Sequence, residues 1–261
     1  MSRAERFPGH QFPQVVPEPD EARPGGPVPW ADLAPADRRP SVDRVVERLV
    51  AAGRSLDVAP DAAVPAELDA RGGLAPRRSA VLVALYDEDE VARVVLTRRS
   101  SELRHHRGEV ALPGGRAEEG EDDVVTALRE AEEEVGLDRS LVEPVARLSP
   151  LVTFVSGSAI WPVVGRLASP PTLVATTGEV ERILTVSLAD LLEPGAAVVE
   201  HWRRDPRRPG ADAEGFVPMF FYRVPGELVW GATARVLTEL LCVATGVPWP
   251  GEPRVGGRAA G

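Results

Sequence analysis

Three glutamates with helical spacing are the most distinctive chemical feature of this chain. Glu130, Glu133 and Glu134 stand at positions i, i+3 and i+4, so their carboxylates share one face if the segment is a helix. Like charges at this spacing repel one another when nothing pairs them. Carboxylate oxygens are also the ligands that Mg²⁺ and Mn²⁺ prefer. The glutamates by themselves therefore fit either a divalent-metal site or an ordinary solvated acidic face.

The residues around these glutamates predict a helix with recognisable ends. The helical pattern extends over about residues 122–135 and is closed by Gly136, a residue type common at helix C-termini. Arg129 stands four residues before Glu133 and can hold part of the acidic cluster in place. Glu121 lies at the start, where a negative charge favours the positive end of the helix dipole. We therefore expect one helix that presents a cluster of carboxylates.

Two glycines and a basic loop precede this helix. Gly114 and Gly115 allow a tight bend, so a backbone carbonyl can face a metal ion. Residues 98–107 hold four arginines and one glutamate, a charge of +3 in a chain whose formal charge is −10. Arginine forks match phosphate oxygens, so the loop suits an anion, although it also fits a basic surface that only balances the acidic helix. The charged residues are Arg98, Arg99, Glu102, Arg104 and Arg107, beside His105 and His106.

Residues 115–137 resemble the Nudix box. They read G-x5-E-x7-R-E-A-x-E-E-x-G-L, and the pattern matches without a gap. The resemblance implies an α/β (α+β) fold, the Nudix α/β/α sandwich with a mixed β-sheet. It also implies Mg²⁺ or Mn²⁺ as the cofactor, with Glu130, Glu133, Glu134 and the backbone carbonyl of Gly115 as the metal ligands.

The same resemblance implies catalytic roles. Glu130, Glu133 and Arg129 are the implied catalytic residues, and Arg129 orients the glutamates. Hydrolysis of a diphosphate needs a carboxylate that removes a proton from the attacking water. We expect Glu130 to be this base; Glu179 and Glu181, in the segment TTGEVERIL, are the alternatives, and each also fits ordinary loop charge.

The loop before the box resembles more narrowly the Nudix enzymes that hydrolyse coenzyme A. Those enzymes share roughly L-L-T-x-R-S-x3-R-x3-G-x3-F-P-G-G, and this chain follows the pattern over residues 95–115, with Leu112 in place of phenylalanine. The segments TGEVERILTVSL and LVWGATARVLTELL also resemble that subfamily. The resemblance implies substrate contacts from Arg99, Arg104 and Gly114. The implied reaction is a pyrophosphatase reaction that cleaves coenzyme A to 3′,5′-ADP and 4′-phosphopantetheine.

Two other functions stay open at this point. One is hydrolysis of another nucleoside diphosphate derivative, such as ADP-ribose or NADH. The other is a non-catalytic Nudix nucleotide sensor, although such proteins usually lose box glutamates and this chain keeps them. Trp230 fits either stacking on the substrate or packing between a strand and a helix.

Composition excludes several kinds of site and partner. A formal charge of −10 and a pI of about 5.0 disfavour nucleic acid as a partner. Cys242 is the only cysteine, which excludes an internal disulfide and a multi-cysteine zinc site, and its apolar neighbours favour core packing. We find no export signal and no apolar run that could span a membrane, so we expect a cytoplasmic protein. The expected partner is a small nucleotide, and a homodimer is left open.

The remaining sequence predicts the elements that position these residues. Residues 1–40 contain nine prolines and are predicted to be a disordered arm. Residues 41–75 are predicted to form a helix capped by Ser41 and then a linker from about residue 57. The Nudix hydrolase domain is expected over 76–250, with a flexible tail over 251–261. Inside the domain we expect a hairpin from AVLVALY and VARVVLTR, the acidic helix, several short strands and a final helix near TARVLTELLCVAT.

Overall fold

The computed structural model describes Gln14 and residues 16–56, 77–103, 105–153, 158–204 and 211–249, with the side chain of Arg77 left out. The four α-helices of the described residues are α1 (Val42–Ala51), α2 (Asp123–Val135), α3 (Leu188–Leu192) and α4 (Gly231–Thr245). The described strands are β1 (Ala22–Pro24), β2 (Arg77–Glu88), β3 (Val91–Arg99), β4 (Val110–Ala111), β5 (Gly114–Arg116), β6 (Val142–Arg147), β7 (Leu151–Val152), β8 (Ser158–Leu167), β9 (Val180–Ser187), β10 (Ala197–Arg203), β11 (Phe216–Val224) and β12 (Glu227–Val229). We call α2 the acidic helix.

The hairpin predicted from two β-branched runs is confirmed. Strands β2 and β3 are antiparallel, and Glu88 pairs with Val91 next to the turn. The two turn residues, Asp89 and Glu90, both have positive φ, of 52° and 61°. Hairpins with two-residue turns favour this left-handed backbone because its twist matches that of the strands. The turn is therefore shorter than the acidic segment DEDE that marked it in the sequence.

A mixed eight-stranded sheet forms the centre of the fold, as predicted. Its main order is β4, β3, β2, β8 and β6, with β5 added to β2, β7 to β8 and β9 to β3. Strands β2 and β8 are parallel, whereas the other pairings are antiparallel. The β2 strand is thus flanked by β8 on one side and by β3 and β5 on the other. Because β2 is central, β5 lies next to the core of the sheet.

Alternation along β2 divides the core into two layers. Ala80, Leu82 and Ala84 point to one face, where they pack with residues of the acidic helix. Val83 and Leu85 point to the opposite face and pack in a second cluster that also contains residues of α1 and α4. Helices therefore cover both faces of the sheet, which is the α/β/α arrangement expected from the box.

The predicted disordered arm is wrong for residues 16–40, which fold onto the rest of the chain. Strand β1 pairs with β10 at the edge of a second, antiparallel sheet of order β1, β10, β11 and β12. Arg23 forms ion pairs with Asp212 and Glu214. Trp30 is 1% exposed and stacks on Tyr222, with ring centroids 6.3 Å apart. Proline content reflects only the local tendency of a segment to be ordered. Burial of one tryptophan and pairing with the open edge of β10 thus order a segment that its prolines predicted to be disordered.

The segment between the arm and the domain agrees with the sequence where it is described. Ser41 caps α1 by accepting a hydrogen bond from the Arg44 amide, and α1 joins the main hydrophobic cluster. The predicted linker over 57–76 and the tail over 251–261 lie outside the described residues. Cys242 is fully buried in α4, as predicted. Within the described part of the chain, no helix has the length and apolar character needed to cross a membrane.

Candidate active site

A bend at Pro113 leads into Gly114 and Gly115 of β5, and we call this segment the glycine turn. It brings the backbone up against the acidic helix. Gly114 pairs with Val81 and Gly115 with Ala80 of the central strand. A Cβ atom at Gly114 would overlap the Ala80 carbonyl oxygen, and one at Gly115 would overlap the carboxylate of Glu130. Gly114 therefore requires glycine because backbone atoms lie too close, whereas Gly115 leaves the space that the Glu130 carboxylate, at the end of a flexible side chain, occupies.

The acidic helix begins and ends at residues that favour those positions. Asp122 is the N-cap and accepts a hydrogen bond from the Val125 amide at 2.8 Å. Gly136 is the C-cap, with a left-handed φ of 64°. Ala127 and Ala131 bury the apolar side of the helix against the sheet. Since the helix is anchored by this side, the orientation of its glutamates relative to the glycine turn is set.

Arg129 holds the outer part of the glutamate cluster. Its Nε donates to Glu121 at 2.7 Å, and its Nη1 donates to Glu130 and Glu133, each at 3.0 Å. Its Nη2 donates to Glu121 and to the Arg116 carbonyl oxygen, each at 3.0 Å. The hydrogen bonds from Arg129 lower the pKa of Glu121 to about 2, so that carboxylate stays charged. Arg129 is thus a positioning residue that ties the start of the helix to its glutamates.

Glu134 lies deepest in the site. Its side chain is 9% exposed, and its Oε2 accepts a hydrogen bond from the Gly114 amide at 3.2 Å. The nearest cationic atom is Arg99 Nη1, 4.0 Å from Oε1. Burial raises the pKa of Glu134 to about 7, against the hydrogen bond from Gly114. Burial also raises the pKa of Glu130, against the hydrogen bond from Arg129. Both carboxylates therefore lack part of the solvation that stabilises the charged form.

This shortage predicts an unusual pH dependence for the metal-free protein. Between about pH 4.5 and pH 7 the folded protein keeps a proton on Glu134 that the unfolded chain has released, so rising pH favours unfolding. The free energy of unfolding should fall across this window by up to about 3 kcal/mol from this group. Glu134→Gln removes this titration. The free energy of unfolding of the variant minus that of the wild type, measured with chelator by denaturant titration, should therefore increase as pH rises. Parallel pH curves for the two proteins would contradict the burial of this charge.

The residues of the site fit a divalent cation. Three carboxylates beside backbone oxygens form a hard oxygen donor set, and the missing side chain at Gly115 lets the Glu130 carboxylate approach the β5 backbone. Two of the carboxylates have raised pKa values, which a bound cation would reverse. Among the described residues, no three ligating side chains already converge on one point. The side chain of Glu133 is 55% exposed and accepts a hydrogen bond from Arg129. The roles of Glu133 and of the Gly115 carbonyl as ligands stay predictions.

The first two arginines of the basic loop, Arg98 and Arg99, pair with different carboxylates. Arg98 bonds to Glu227, which is 1% exposed, and lies 3.6 Å from Glu181. Arg99 turns the other way, to Glu134 and to Glu179, whose Oε2 is 3.1 Å from its Nη2. Arg98 therefore pairs with a buried carboxylate of the fold, whereas Arg99 lies at the glutamate cluster.

The tip of this loop offers further charge to solvent. His105 and Arg107 are exposed, and His106 shares a hydrogen bond of 3.0 Å with Glu109, which raises the pKa of that imidazole. Arg104, the other predicted substrate contact, lies outside the described residues. The loop thus projects beside the site, with Arg99 at its base.

A long connection from β8 to β9 packs on the end of the acidic helix and completes the site. The Val174 amide donates to the Val135 carbonyl at 3.0 Å, and the Thr176 amide donates to the Glu134 carbonyl at 3.2 Å. These bonds satisfy carbonyls at the end of the acidic helix that have no partner within it. The connection then brings Glu179 to Arg99. Nothing local in the sequence marks this docking, because the partners are about 40 residues apart.

The structure shows where the residues of two alternatives from the sequence lie. Of the two glutamates outside the helix, Glu179 lies beside the cluster, whereas Glu181 faces Arg98. Trp230 donates its Nε1 to Gln14 at 3.1 Å and packs against the cluster that contains Trp202. Its position agrees with packing between strand and helix.

Comparison with known proteins gives a consistent set of similarities. The family model of the NUDIX domain matches residues 76–205. The chain is 40% identical over 174 residues to "Nudix hydrolase 15, mitochondrial" of Arabidopsis thaliana, covering 64% of this chain and 59% of that protein. It is 41% identical over 176 residues to "Nudix hydrolase 22, chloroplastic" of the same plant, covering 64% and 55%. The uncharacterized Nudix hydrolase NudL of Photorhabdus laumondii is 34% identical over 165 residues, covering 63% and 83%. The chain thus spans more than half of the two plant proteins and most of NudL.

Proposed function

The chain belongs to the Nudix hydrolase family, and from that premise we propose that it hydrolyses the diphosphate linkage of coenzyme A or its derivatives. The products would be 3′,5′-ADP and 4′-phosphopantetheine. One observation carries the proposal: Arg99, at the base of the basic loop, lies against Glu134 of the acidic helix. A polyanionic nucleotide needs both a place for cations and arginines for its phosphates, and these two features meet there.

The carboxylates supply the cation site in this proposal. Glu130, Glu133 and Glu134 would hold Mg²⁺ or Mn²⁺, with the Gly115 carbonyl as a further ligand. A bound divalent cation offsets the charge of the diphosphate, polarises the phosphorus centre and lowers the pKa of the attacking water. Arg129 keeps Glu130 and Glu133 in place through the hydrogen bonds that it shares between them.

Glu130 is the proposed general base. Its carboxylate lies against the backbone of Gly115, a further proposed ligand, so it lies beside the cation that would activate the water, and a base must reach that water. Glu179 is the alternative base, because its carboxylate lies on the other side of Arg99 from Glu134. Loss of turnover in Glu179→Gln, with Mn²⁺ binding unchanged, would favour Glu179.

The basic loop is the proposed determinant of substrate choice. Coenzyme A carries a 3′-phosphate in addition to its diphosphate, so it offers the loop one more anionic group than dephospho-coenzyme A does. Arg99 is the proposed partner of the diphosphate, because it lies at the glutamates. The arginines farther along the loop, Arg104 and Arg107, are the ones left for a phosphate outside the metal site.

Arg104→Ala tests this assignment. A bidentate arginine–phosphate contact contributes roughly 1.5–3 kcal/mol, a tenfold to hundredfold effect on kcat/KM. We expect the substitution to reduce kcat/KM for coenzyme A by about this factor and to leave dephospho-coenzyme A much less affected. Equal losses on both substrates would place Arg104 at the diphosphate, and no loss on either would make it a surface residue.

Product analysis tests the proposed function directly. The protein is incubated with Mg²⁺ or Mn²⁺ and with coenzyme A, ADP-ribose or NADH, and the products are identified by mass. Formation of 3′,5′-ADP from coenzyme A, faster than AMP from the other two, is the expected result. Preferred cleavage of ADP-ribose or NADH would change the assigned substrate but not the class of reaction. Nucleotide binding without any cleavage would point to a sensor.

A further inference from the structure

Arg99 stands where two carboxylates of different origin meet. Its Nη1 is 4.0 Å from Glu134 of the acidic helix, and its Nη2 is 3.1 Å from Glu179 of the β8–β9 connection. Glu134 is nearly buried, whereas the Glu179 side chain is 57% exposed. Arg99 is thus the cation that accompanies the deepest carboxylate of the site, and its other partner is an exposed group.

The guanidinium of Arg99 has N–H donors without a hydrogen-bond partner among the described residues. Of its five N–H donors, one on Nη2 bonds to Glu179, and Nη1 is too far from Glu134 for a hydrogen bond. Its Nε is buried and has no hydrogen-bond partner among the described residues. An arginine with unused donors beside a metal-ligand carboxylate is poorly satisfied, and a phosphate group could take up those donors.

Arg129 provides the contrast within the same cluster. It is anchored twice by Glu121 and once by the Arg116 carbonyl, so it keeps three hydrogen bonds even without Glu130 and Glu133. Arg99 has no comparable anchor at its guanidinium among the described residues. Its backbone is fixed, however, because its amide donates to Glu109 at 2.9 Å and its carbonyl accepts from Gly108 at 3.1 Å. The side chain can therefore change partner while its base stays in place.

We propose that Arg99 is an exchangeable counter-ion of Glu134: a divalent cation bound at Glu134 competes with Arg99 for that carboxylate and displaces it toward the substrate diphosphate. This inference rests on the proposed function, since it assumes that Glu134 is a metal ligand and that the substrate is a phosphate anion. Arg99 and the metal carry the same sign of charge and share one carboxylate, so each weakens the other there. Arg99 then gains phosphate oxygens in place of the carboxylate.

Exchange makes the metal and the substrate bind cooperatively. A metal that frees Arg99 improves the affinity for the phosphate anion, and by linkage the anion improves the affinity for the metal by the same factor. A residue with a merely structural role would not do this, because its loss weakens the binding of both ligands. The sign of the effect on metal affinity therefore distinguishes the two roles.

Arg99→Gln tests the exchange with Mn²⁺ alone as the probe. The dissociation constant of Mn²⁺ is measured on the full chain without nucleotide, by calorimetry and by the loss of free-ion paramagnetic signal. We expect Mn²⁺ to bind the variant roughly threefold to tenfold more tightly, as removal of one nearby, partly exposed charge allows. The KM for coenzyme A should rise by about tenfold in the same variant, because a charge-assisted contact is lost.

Two further variants separate charge, shape and position. Arg99→Lys keeps the charge but not the fork, so Mn²⁺ affinity should return to that of the wild type while the KM for coenzyme A stays raised. Arg107→Gln removes the same charge from an exposed position in the same loop and should leave Mn²⁺ affinity within about twofold, because solvent screens exposed charges. Circular dichroism checks that each variant is folded.

The outcomes distinguish this inference from the proposed function. Unchanged or weaker Mn²⁺ binding in a folded Arg99→Gln variant overturns the exchange, whatever substrate the protein takes. Failure of the wild type to bind Mn²⁺ overturns both the exchange and the proposed metal site. Tighter Mn²⁺ binding in the variant, with no hydrolysis of coenzyme A by the wild type, supports exchange at Glu134 and rejects only the substrate assignment.

Discussion

Glu130→Gln and Glu134→Gln should each reduce turnover by about a hundredfold or more while the protein stays folded. Each substitution removes one negative charge from the site proposed to hold the metal, and a lost charged ligand weakens both metal binding and activation of water. The amide is nearly the same size as the carboxylate, so the packing against the glycine turn is kept. Turnover of coenzyme A is measured at the Mg²⁺ concentration that saturates the wild type and again at a higher one, since part of the loss in Glu134→Gln should be recovered if metal affinity is the cause.

Glu132→Gln is the matched control for these two variants. Glu132 lies on the same helix, but it bonds to Arg139 on the side away from the cluster. Its loss removes the same charge from the same helix, so turnover should stay within about twofold of the wild type, as expected for a screened surface ion pair. Near-normal turnover in Glu130→Gln or Glu134→Gln would remove that residue from the mechanism. A large loss in Glu132→Gln would instead indicate that the total charge of the helix matters.

Trp30→Ala should lower the free energy of unfolding by about 3–5 kcal/mol, the usual effect of truncating a buried tryptophan. Trp30 belongs to the main hydrophobic cluster and stacks on Tyr222 with an interplanar angle of 14°. Its removal leaves a cavity between the arm and the second sheet. The measurement is denaturant unfolding followed by circular dichroism, with the midpoint expected to fall at an unchanged slope.

Asp32→Ala controls for the general effect of a substitution in the arm. Asp32 is exposed, two residues from Trp30, and its loss should change the free energy of unfolding by less than about 0.5 kcal/mol. If Trp30→Ala were as stable as Asp32→Ala, the arm would be an appendage, as its proline content suggested. A large effect of Trp30 alone would establish that the domain extends in front of residue 41.

Local spacing in the sequence determined the elements that carry the chemistry. The positions of Glu130, Glu133 and Glu134 on one helix follow from contacts three and four residues apart, which the residue order alone fixes. The same is true of the Asp122 and Gly136 caps and of the β2–β3 hairpin, whose signals lie within a few residues of the elements they end. The α/β/α arrangement was predicted from the resemblance of residues 115–137, since strand patterns by themselves fit several mixed sheets.

Only the tertiary structure decided which charges meet. Arg98 and Arg99 are neighbours of the same type, yet one bonds to Glu227 and the other lies between Glu134 and Glu179. These partners are 129, 35 and 80 residues away along the chain, so no local pattern distinguishes the two arginines. The burial of Glu134 and the packing of Trp30 likewise depend on surfaces that exist only after distant strands pair. Local order follows from neighbouring residues, whereas burial and ion pairing depend on which distant segments the sheet brings together.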